Sequence, residues 1–156
     1  MKRLIIILFI LAAGTIVARP VPATSSTVAI TAPVSAGTFW ERLHLAIEQH
    51  LGKPYVSGSA GLKSFDCSGF VWRTMVDSGL YLKRTSARKL FFCLQPVPET
   101  ANSKFGTIIF FDNLRHCGIV NDANSFYHAE SKKGTTLSPM QPYWKDKICG
   151  FRLLNG

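Results

Sequence analysis

The first part of the chain beyond residue 37 carries apolar residues at helical spacing. Thr38–Glu41 has the form of a capping box, and the apolar positions behind it recur every three or four residues until Gly52. This pattern predicts a first helix. The same period predicts a second helix from Cys67 to Gly79, with Cys67 in its first turn, and a third that begins at Thr85 or Ser86 and runs through Leu94.

The pattern changes beyond Pro96 and Pro98. Short runs rich in β-branched and aromatic residues follow, and clusters of Asp and Asn separate them. Helices followed by an antiparallel sheet are typical of the α+β class, which we therefore predict. The predicted strands cover residues 107–111, 117–120, 125–127 and 148–154.

The N-terminus has the pattern of a secretory signal peptide. Lys2 and Arg3 precede the uncharged stretch 4–17, which is short for a bilayer span, and cleavage fits after Ala18 or Ala23. An uncleaved signal anchor remains the alternative. We assign residues 1–23 to the signal peptide, the Pro/Ala/Ser/Thr-rich residues 24–37 to a disordered linker and residues 38–156 to one domain. We expect a secreted or periplasmic protein, because no cysteine lies near the cleavage sites to carry a lipid.

The chain is basic, with 18 Lys and Arg against 9 Asp and Glu. Loss of residues 1–23 would remove three basic residues and leave a net charge of +6. A basic surface concentrates anionic polymers, among them nucleic acids, lipid headgroups and cell-wall polymers. Export makes nucleic acid the least expected partner. We expect a monomer without stable membrane insertion after signal cleavage.

Four cysteines are irregularly spaced and include no Cys-x-x-Cys pair, which argues against a disulfide framework or a zinc finger. They are Cys67, Cys93, Cys117 and Cys149. A cysteine in the first turn of a helix has a lowered pKa, because the helix dipole and the free N–H groups favour the thiolate. The same N–H groups can hold an oxyanion. If Cys67 serves chemistry, the other three form at most one disulfide or remain buried thiols.

Two histidines lie on neighbouring predicted strands. A three-residue turn at 121–123 would pair Val120 with Asn124 and therefore His116 with His128. Directly opposed residues point to one face, so one imidazole can hydrogen-bond the other and orient it as a general base. A one-residue slip would send them to opposite faces.

Other interpretations of these residues stay open. A thiolate and two imidazoles are also good zinc ligands, and two cross-strand histidines can be a simple surface pair. His44 and His50 lie on the first predicted helix without a partner, and we assign them no catalytic role.

Five sequence blocks follow one another along the chain, and they are Leu51–Val56, Phe65–Val71, Arg84–Ser86, His116–Val120 and Phe126–Ala129. Together they resemble the ordered landmarks of the NlpC-type cell-wall cysteine peptidases. The match spans residues 39–154. It implies a papain-like core in which the cysteine helix packs on an antiparallel sheet of four to six strands that bears both histidines.

The resemblance also implies roles for single residues. Cys67 would be the nucleophile, His116 the base and His128 the residue that orients it. Tyr55 would assist the oxyanion, while Asp66 and Ser68 would help to hold the peptide stem of peptidoglycan. An N-cap role for Asp66 and a core role for Tyr55 remain alternatives. No metal or cofactor is implied.

The implied reaction is hydrolysis of a stem-peptide amide, at the D-glutamyl–diaminopimelate bond or at the cross-link from diaminopimelate to D-alanine. The chain departs from the family pattern at Gly58-Ser59, where two glycines are common, and at 104–107, where a Pro-Gly-Asp turn is common. An exported wall-degrading toxin, an inactive relative that binds wall peptides and a relative that transfers acyl groups to or from lipids are the alternatives.

Overall fold

The computed structural model describes residues 37–153. The predicted signal peptide and the linker up to residue 36 lie outside the described residues, as do residues 154–156. Within the part that is described, no helix is long and apolar enough to span a bilayer.

Three helices lie where the apolar periodicity predicts them. They are α1 (Phe39–His50), α2 (Cys67–Asp77) and α3 (Ala87–Cys93). At the start of α1, the hydroxyl of Thr38 accepts the N–H of Glu41 and the Glu41 carboxylate accepts the N–H of Thr38. The predicted capping box is therefore confirmed. The other two helices begin after the N-cap residues Asp66 and Ser86.

Six strands form one sheet whose neighbours are all antiparallel, in the order β1-β6-β2-β3-β4-β5. The strands are β1 (Gln95–Pro96), β2 (Ile108–Phe111), β3 (His116–Asp122), β4 (Ser125–Glu130), β5 (Gly134–Pro139) and β6 (Ile148–Leu153). Helices followed by an antiparallel sheet confirm the α+β class. The sequence patterns did not predict β1, β5 or the short helix α4 (Pro142–Lys145).

The sheet buries apolar side chains on both faces. One face packs on the helices, and α2 contacts β3 and β4 there. The other face carries a smaller cluster of four fully buried residues, Ile109, Phe111, Val120 and Phe126, against which Trp144 of α4 packs. Since successive residues of a strand point to opposite faces, Cys117 lies on the helix side while Gly118 and Val120 lie on the α4 side.

The predicted pairing of His116 with His128 is wrong. His128 lies opposite Gly118, and Val120 lies opposite Phe126. The loop has only two residues, because the Asp122 carboxylate accepts the N–H of Asn124 and the hydroxyl of Ser125, and an irregularity between Val120 and Asp122 absorbs the extra residue. The register differs by two positions, which keeps both histidines on one face.

Gly118 permits this register. A Cβ atom there would lie 2.5 Å from the carbonyl oxygen of Tyr127 and 3.2 Å from the Cβ of His128. A side chain at this position would therefore push β4 away, because it would collide with the backbone of that strand and with the side chains of Phe126 and His128.

Candidate active site

Cys67 is the first residue of α2, and the start of β3 lies beside it. The carboxylate of Asp66 accepts the N–H of Gly69 at 2.5 Å and so caps the helix. Cys67 is 8% exposed, and its thiol points to the carbonyl oxygen of Arg115, with Sγ and O 3.7 Å apart. The prediction that Cys67 lies in the first helical turn is confirmed.

The segment that leads into β3 has an unusual backbone. Asp112, Asn113 and Leu114 have φ angles of 52°, 54° and 65°. Asp and Asn adopt this left-handed conformation at low cost, whereas Leu does so rarely. The turn fixes the carbonyl of Arg115 beside Cys67 and places His116 at the start of the strand.

His116 and His128 are in direct contact. Nε2 of His116 lies 2.8 Å from Nδ1 of His128, and the two rings are nearly perpendicular, at 86°. His128 is fully buried. Burial lowers its pKa to about 3, and the nearby charges of His116 and Lys133 act in the same direction. His128 is therefore neutral at physiological pH and can accept a hydrogen bond from His116.

Cys67 is poised as a thiolate. A hydrogen bond from the Cys117 thiol lowers its pKa to about 5, against the opposing effect of burial, and His116 adds a further hydrogen bond and a favourable charge. Cys117 is completely buried, and the neighbouring Cys67 raises its pKa well above the ordinary value. Cys117 thus stays protonated and donates to its neighbour.

His116 lines a cleft of about 310 Å³, together with residues of the β2–β3 turn, of β4 and of α4. The indole of Trp144 stacks on His116 with the ring centroids 5.4 Å apart and the planes 24° apart. Trp144 also contacts His128, so it covers the histidine pair from the α4 side. The residues around the cleft include Tyr55, Arg115, His116, Glu130, Trp144 and Lys147.

Tyr55 lies in this cleft, where burial raises its pKa and the negative charges of Cys67 and Asp66 raise it further.

Asp66 and Ser68 form hydrogen bonds with Arg84 and with each other. Arg84 donates to both oxygens of the Asp66 carboxylate at 2.9 and 2.8 Å and to the hydroxyl of Ser68 at 2.9 Å. Ser68 in turn donates to Asp66 at 3.0 Å. The structure thus places Asp66 as the N-cap of α2 and Ser68 as its partner.

Three residues near the pair went unpredicted as parts of the site. Ser138 of β5 places its Oγ 2.8 Å from Nε2 of His128, Trp144 stacks on His116, and Cys117 donates to Cys67. Cys117 was visible in the sequence only as a neighbour of His116. The strand that holds Ser138 lacks regular apolar alternation, so no sequence signal placed this serine near a histidine.

The other histidines and cysteines lie apart from the cleft. His44 pairs with Glu48 at 3.2 Å, and the buried His50 pairs with Asp77 at 2.7 Å. All four cysteines are free thiols, with Cys93 and Cys149 exposed. Among residues 37–153, His, Cys, Asp and Glu side chains form no group of three or more that could hold a metal ion.

Comparison with known proteins agrees with this architecture. A probable endopeptidase of Haemophilus influenzae is 34% identical over 109 residues, which cover 64% of this chain and 66% of that protein. The murein DD-endopeptidase MepS/murein LD-carboxypeptidase of Escherichia coli K12 is 34% identical over 101 residues, 62% of this chain and 53% of that protein. The chain therefore spans less than two thirds of the length of either relative.

A solved structure shares the fold. The NLP/P60 family protein of Staphylococcus aureus, described as similar to a lipoprotein, superimposes with a TM-score of 0.65 at 27% identity over 78% of this chain and 43% of that chain. The papain-like α+β core is thereby confirmed. The model of the NlpC/P60 family matches residues 52–153, and the chain belongs to this family.

Proposed function

We propose that this protein is a peptidoglycan hydrolase, a cysteine endopeptidase that cleaves amide bonds of the stem peptides. The observation that supports this most strongly is the placement of Cys67, at the start of α2 and 3.7 Å from the carbonyl oxygen of Arg115, beside the hydrogen-bonded pair of His116 and His128. A thiolate, a base and a group that orients the base are the parts that nucleophilic amide hydrolysis needs. Membership of the NlpC/P60 family and the endopeptidase relatives support the cell wall as the substrate.

In the proposed mechanism, the Cys67 thiolate attacks the amide carbonyl and forms a C–S bond. The oxyanion is held by N–H groups in the first turn of α2, and Tyr55 assists from the same cleft. Protonated His116 gives its proton to the leaving nitrogen as the C–N bond breaks. Neutral His116 then takes a proton from water, whose oxygen attacks the thioester and releases the thiolate.

The bond that is cut would be D-glutamyl–diaminopimelate or the cross-link from diaminopimelate to D-alanine. A signal peptide at residues 1–23 would deliver the protein to the periplasm or the cell exterior, where this substrate lies. Residues 38–156 would form the catalytic domain, and its excess of basic residues would favour the anionic wall.

The test is digestion of purified peptidoglycan by the wild-type protein and by Cys67→Ala, with mass spectrometry of the released fragments. Wild type should release new amino groups, and Cys67→Ala should release none, because the nucleophile is lost. Cys93→Ala is the matched control, since that thiol is exposed and outside the cleft. Full activity of Cys67→Ala would refute the mechanism, and an inactive wild type that still binds wall peptides would favour a binding role.

A further inference from the structure

The hydrogen-bonded chain continues beyond the two histidines to Ser138. This serine lies on β5 directly opposite Phe126, and its Oγ is 2.8 Å from Nε2 of His128. Both side chains are buried, with Ser138 2% exposed and His128 fully enclosed. Ser138 is therefore shielded from substrate and touches the proposed reaction only through the imidazole.

The charged state of His116 fixes the direction of every hydrogen bond in this chain. Imidazolium carries a proton on both ring nitrogens. Nε2–H of His116 must therefore donate to Nδ1 of His128, which leaves the proton of neutral His128 on Nε2. That N–H points to Ser138, whose oxygen must accept it.

Hydrogen bonds that ran in the opposite direction, from Ser138 toward His116, would stop the proposed reaction. If Ser138 donated to Nε2 of His128, the proton of His128 would lie on Nδ1 and point to Nε2 of His116. His116 would then hold its own proton on Nδ1, which is the only nitrogen left to face Cys67, and could not take a second one. The tautomer of His128 thus decides whether His116 can act as a base.

We propose that Ser138 is a positioning residue that accepts the Nε2–H of His128 and so holds His116 in the tautomer that can exchange a proton with Cys67. The inference rests on the proposed function, since it assigns a role to Ser138 in that reaction. Trp144 contacts both imidazoles and supports the same geometry by restricting the orientation of the two rings.

Ser138→Ala is the variant that tests this role. It removes the acceptor and leaves a buried N–H without a partner whenever His116 is charged, so kcat should fall about 10- to 100-fold. KM should stay unchanged, because Ser138 does not reach the cleft. Ser138→Thr keeps the hydroxyl and should recover most of the lost rate.

Thr135→Val is the matched control. Thr135 is a buried residue with a hydroxyl group on the same strand. Its hydroxyl forms hydrogen bonds with the backbone of His50 and Lys53 and not with a histidine side chain. Its loss should lower stability and leave kcat of the folded protein at the wild-type value. Wild-type kcat in Ser138→Ala, or an equal fall in Thr135→Val, would overturn the inference.

Nitrogen NMR of the histidine side chains gives a second measurement on unmodified protein. His128 should carry its proton on Nε2, and a proton on Nδ1 would overturn the inference even if Ser138→Ala did not fold. This spectrum needs no substrate. A protein that cuts no wall peptide but shows the Nε2–H tautomer would refute the proposed function alone, whereas an active protein with the Nδ1–H tautomer would refute the role of Ser138 alone.

Discussion

At the scale of single residues, the site depends on two neighbouring thiols with opposite protonation. Of these two thiols, only that of Cys67 belongs to a residue with any exposure to solvent. The Cys117 thiol and the His116 imidazole both lower the pKa of Cys67. Cys117 is sealed between α2 and the sheet, where a charge would be costly. The buried thiol therefore acts as a donor that favours the thiolate of its neighbour.

Replacing Cys117 should make Cys67 a weaker nucleophile at acidic pH. Cys117→Ala removes the hydrogen bond that contributes most to the low pKa, so the pKa of Cys67 should rise from about 5 toward its ordinary value of 9.0. The rate of alkylation by iodoacetamide, followed against pH, measures this shift. Cys149→Ala, at an exposed position, is the control and should leave the midpoint unchanged. An unchanged midpoint in Cys117→Ala would show that the imidazole alone activates Cys67.

At the scale of secondary-structure elements, the start of α2 is fastened by an ion pair. Asp66 caps the helix and receives two hydrogen bonds from Arg84, which stands just before α3. The pair thus ties the beginning of the cysteine helix to the segment that leads into the next one. A shift of this helix end would move Cys67 relative to His116.

Asp66→Ala should cost both stability and reactivity. Loss of an N-cap costs about 0.5–2 kcal/mol, and Arg84 would also lose its partner, so we expect the free energy of unfolding to fall by about 1–3 kcal/mol. Urea denaturation measures that change, and alkylation of Cys67 should slow as the helix end loosens. Thr38→Ala is the control, because it removes the cap of α1 and should cost about 1 kcal/mol without slowing alkylation. If Asp66→Ala were alkylated at the wild-type rate, the N-cap would have no part in the reactivity of Cys67.

Secondary structure could be predicted from the sequence where the residues of an element determine that element without help from the rest of the chain. The helices follow from apolar periodicity and from the caps at Thr38, Asp66 and Ser86. The β3–β4 register did not follow, because Asp122 closes a two-residue loop with its own carboxylate. Strand β5 was missed because Thr135 and Ser138 are buried polar residues whose partners lie on other elements.

The candidate site likewise contains residues that could be predicted from the sequence and residues that could not. The two histidines were predicted as neighbours from a hairpin register that was wrong by two positions, and Cys67 was placed with them through the resemblance to the NlpC-type peptidases. Ser138 could not be predicted, since its position depends on the β4–β5 register. The left-handed backbone at Leu114 is equally hidden in the sequence, because its neighbours on other elements hold it there.

At the scale of the whole molecule, the sheet separates two layers, and each layer carries different residues of the proposed active site. The helix layer supplies Cys67, and the opposite face carries His116, His128 and Ser138 beneath Trp144. The two layers meet at the start of β3, where the carbonyl of Arg115 contacts the thiol of Cys67. The arrangement encloses the neutral imidazole of His128 in a buried environment, where a positive charge would be costly.

Acid should destabilise the folded protein through His128. Its pKa is about 3 when folded, against an ordinary value of 6.5, so the unfolded chain binds a proton in a pH range where the folded protein does not. The stability that neutral His128 contributes is complete above pH 6.5 and is lost as the pH falls toward 3. Cys67, whose pKa is also lowered on folding, acts in the same direction between pH 9.0 and about 5. Both groups therefore make the protein more stable as the pH rises.

Urea denaturation at a series of pH values below 6.5 can isolate the contribution of His128. His128→Asn removes the titrating group, so its free energy of unfolding should fall less steeply between pH 6.5 and about 3 than that of wild type. Thr135→Val is the control, because it removes a buried hydroxyl group and no titrating group. Its pH dependence should follow that of wild type. Equal slopes in wild type and His128→Asn would mean that the folded protein accommodates a charged His128, which would contradict the neutral, hydrogen-bond-accepting role that His128 has beside His116.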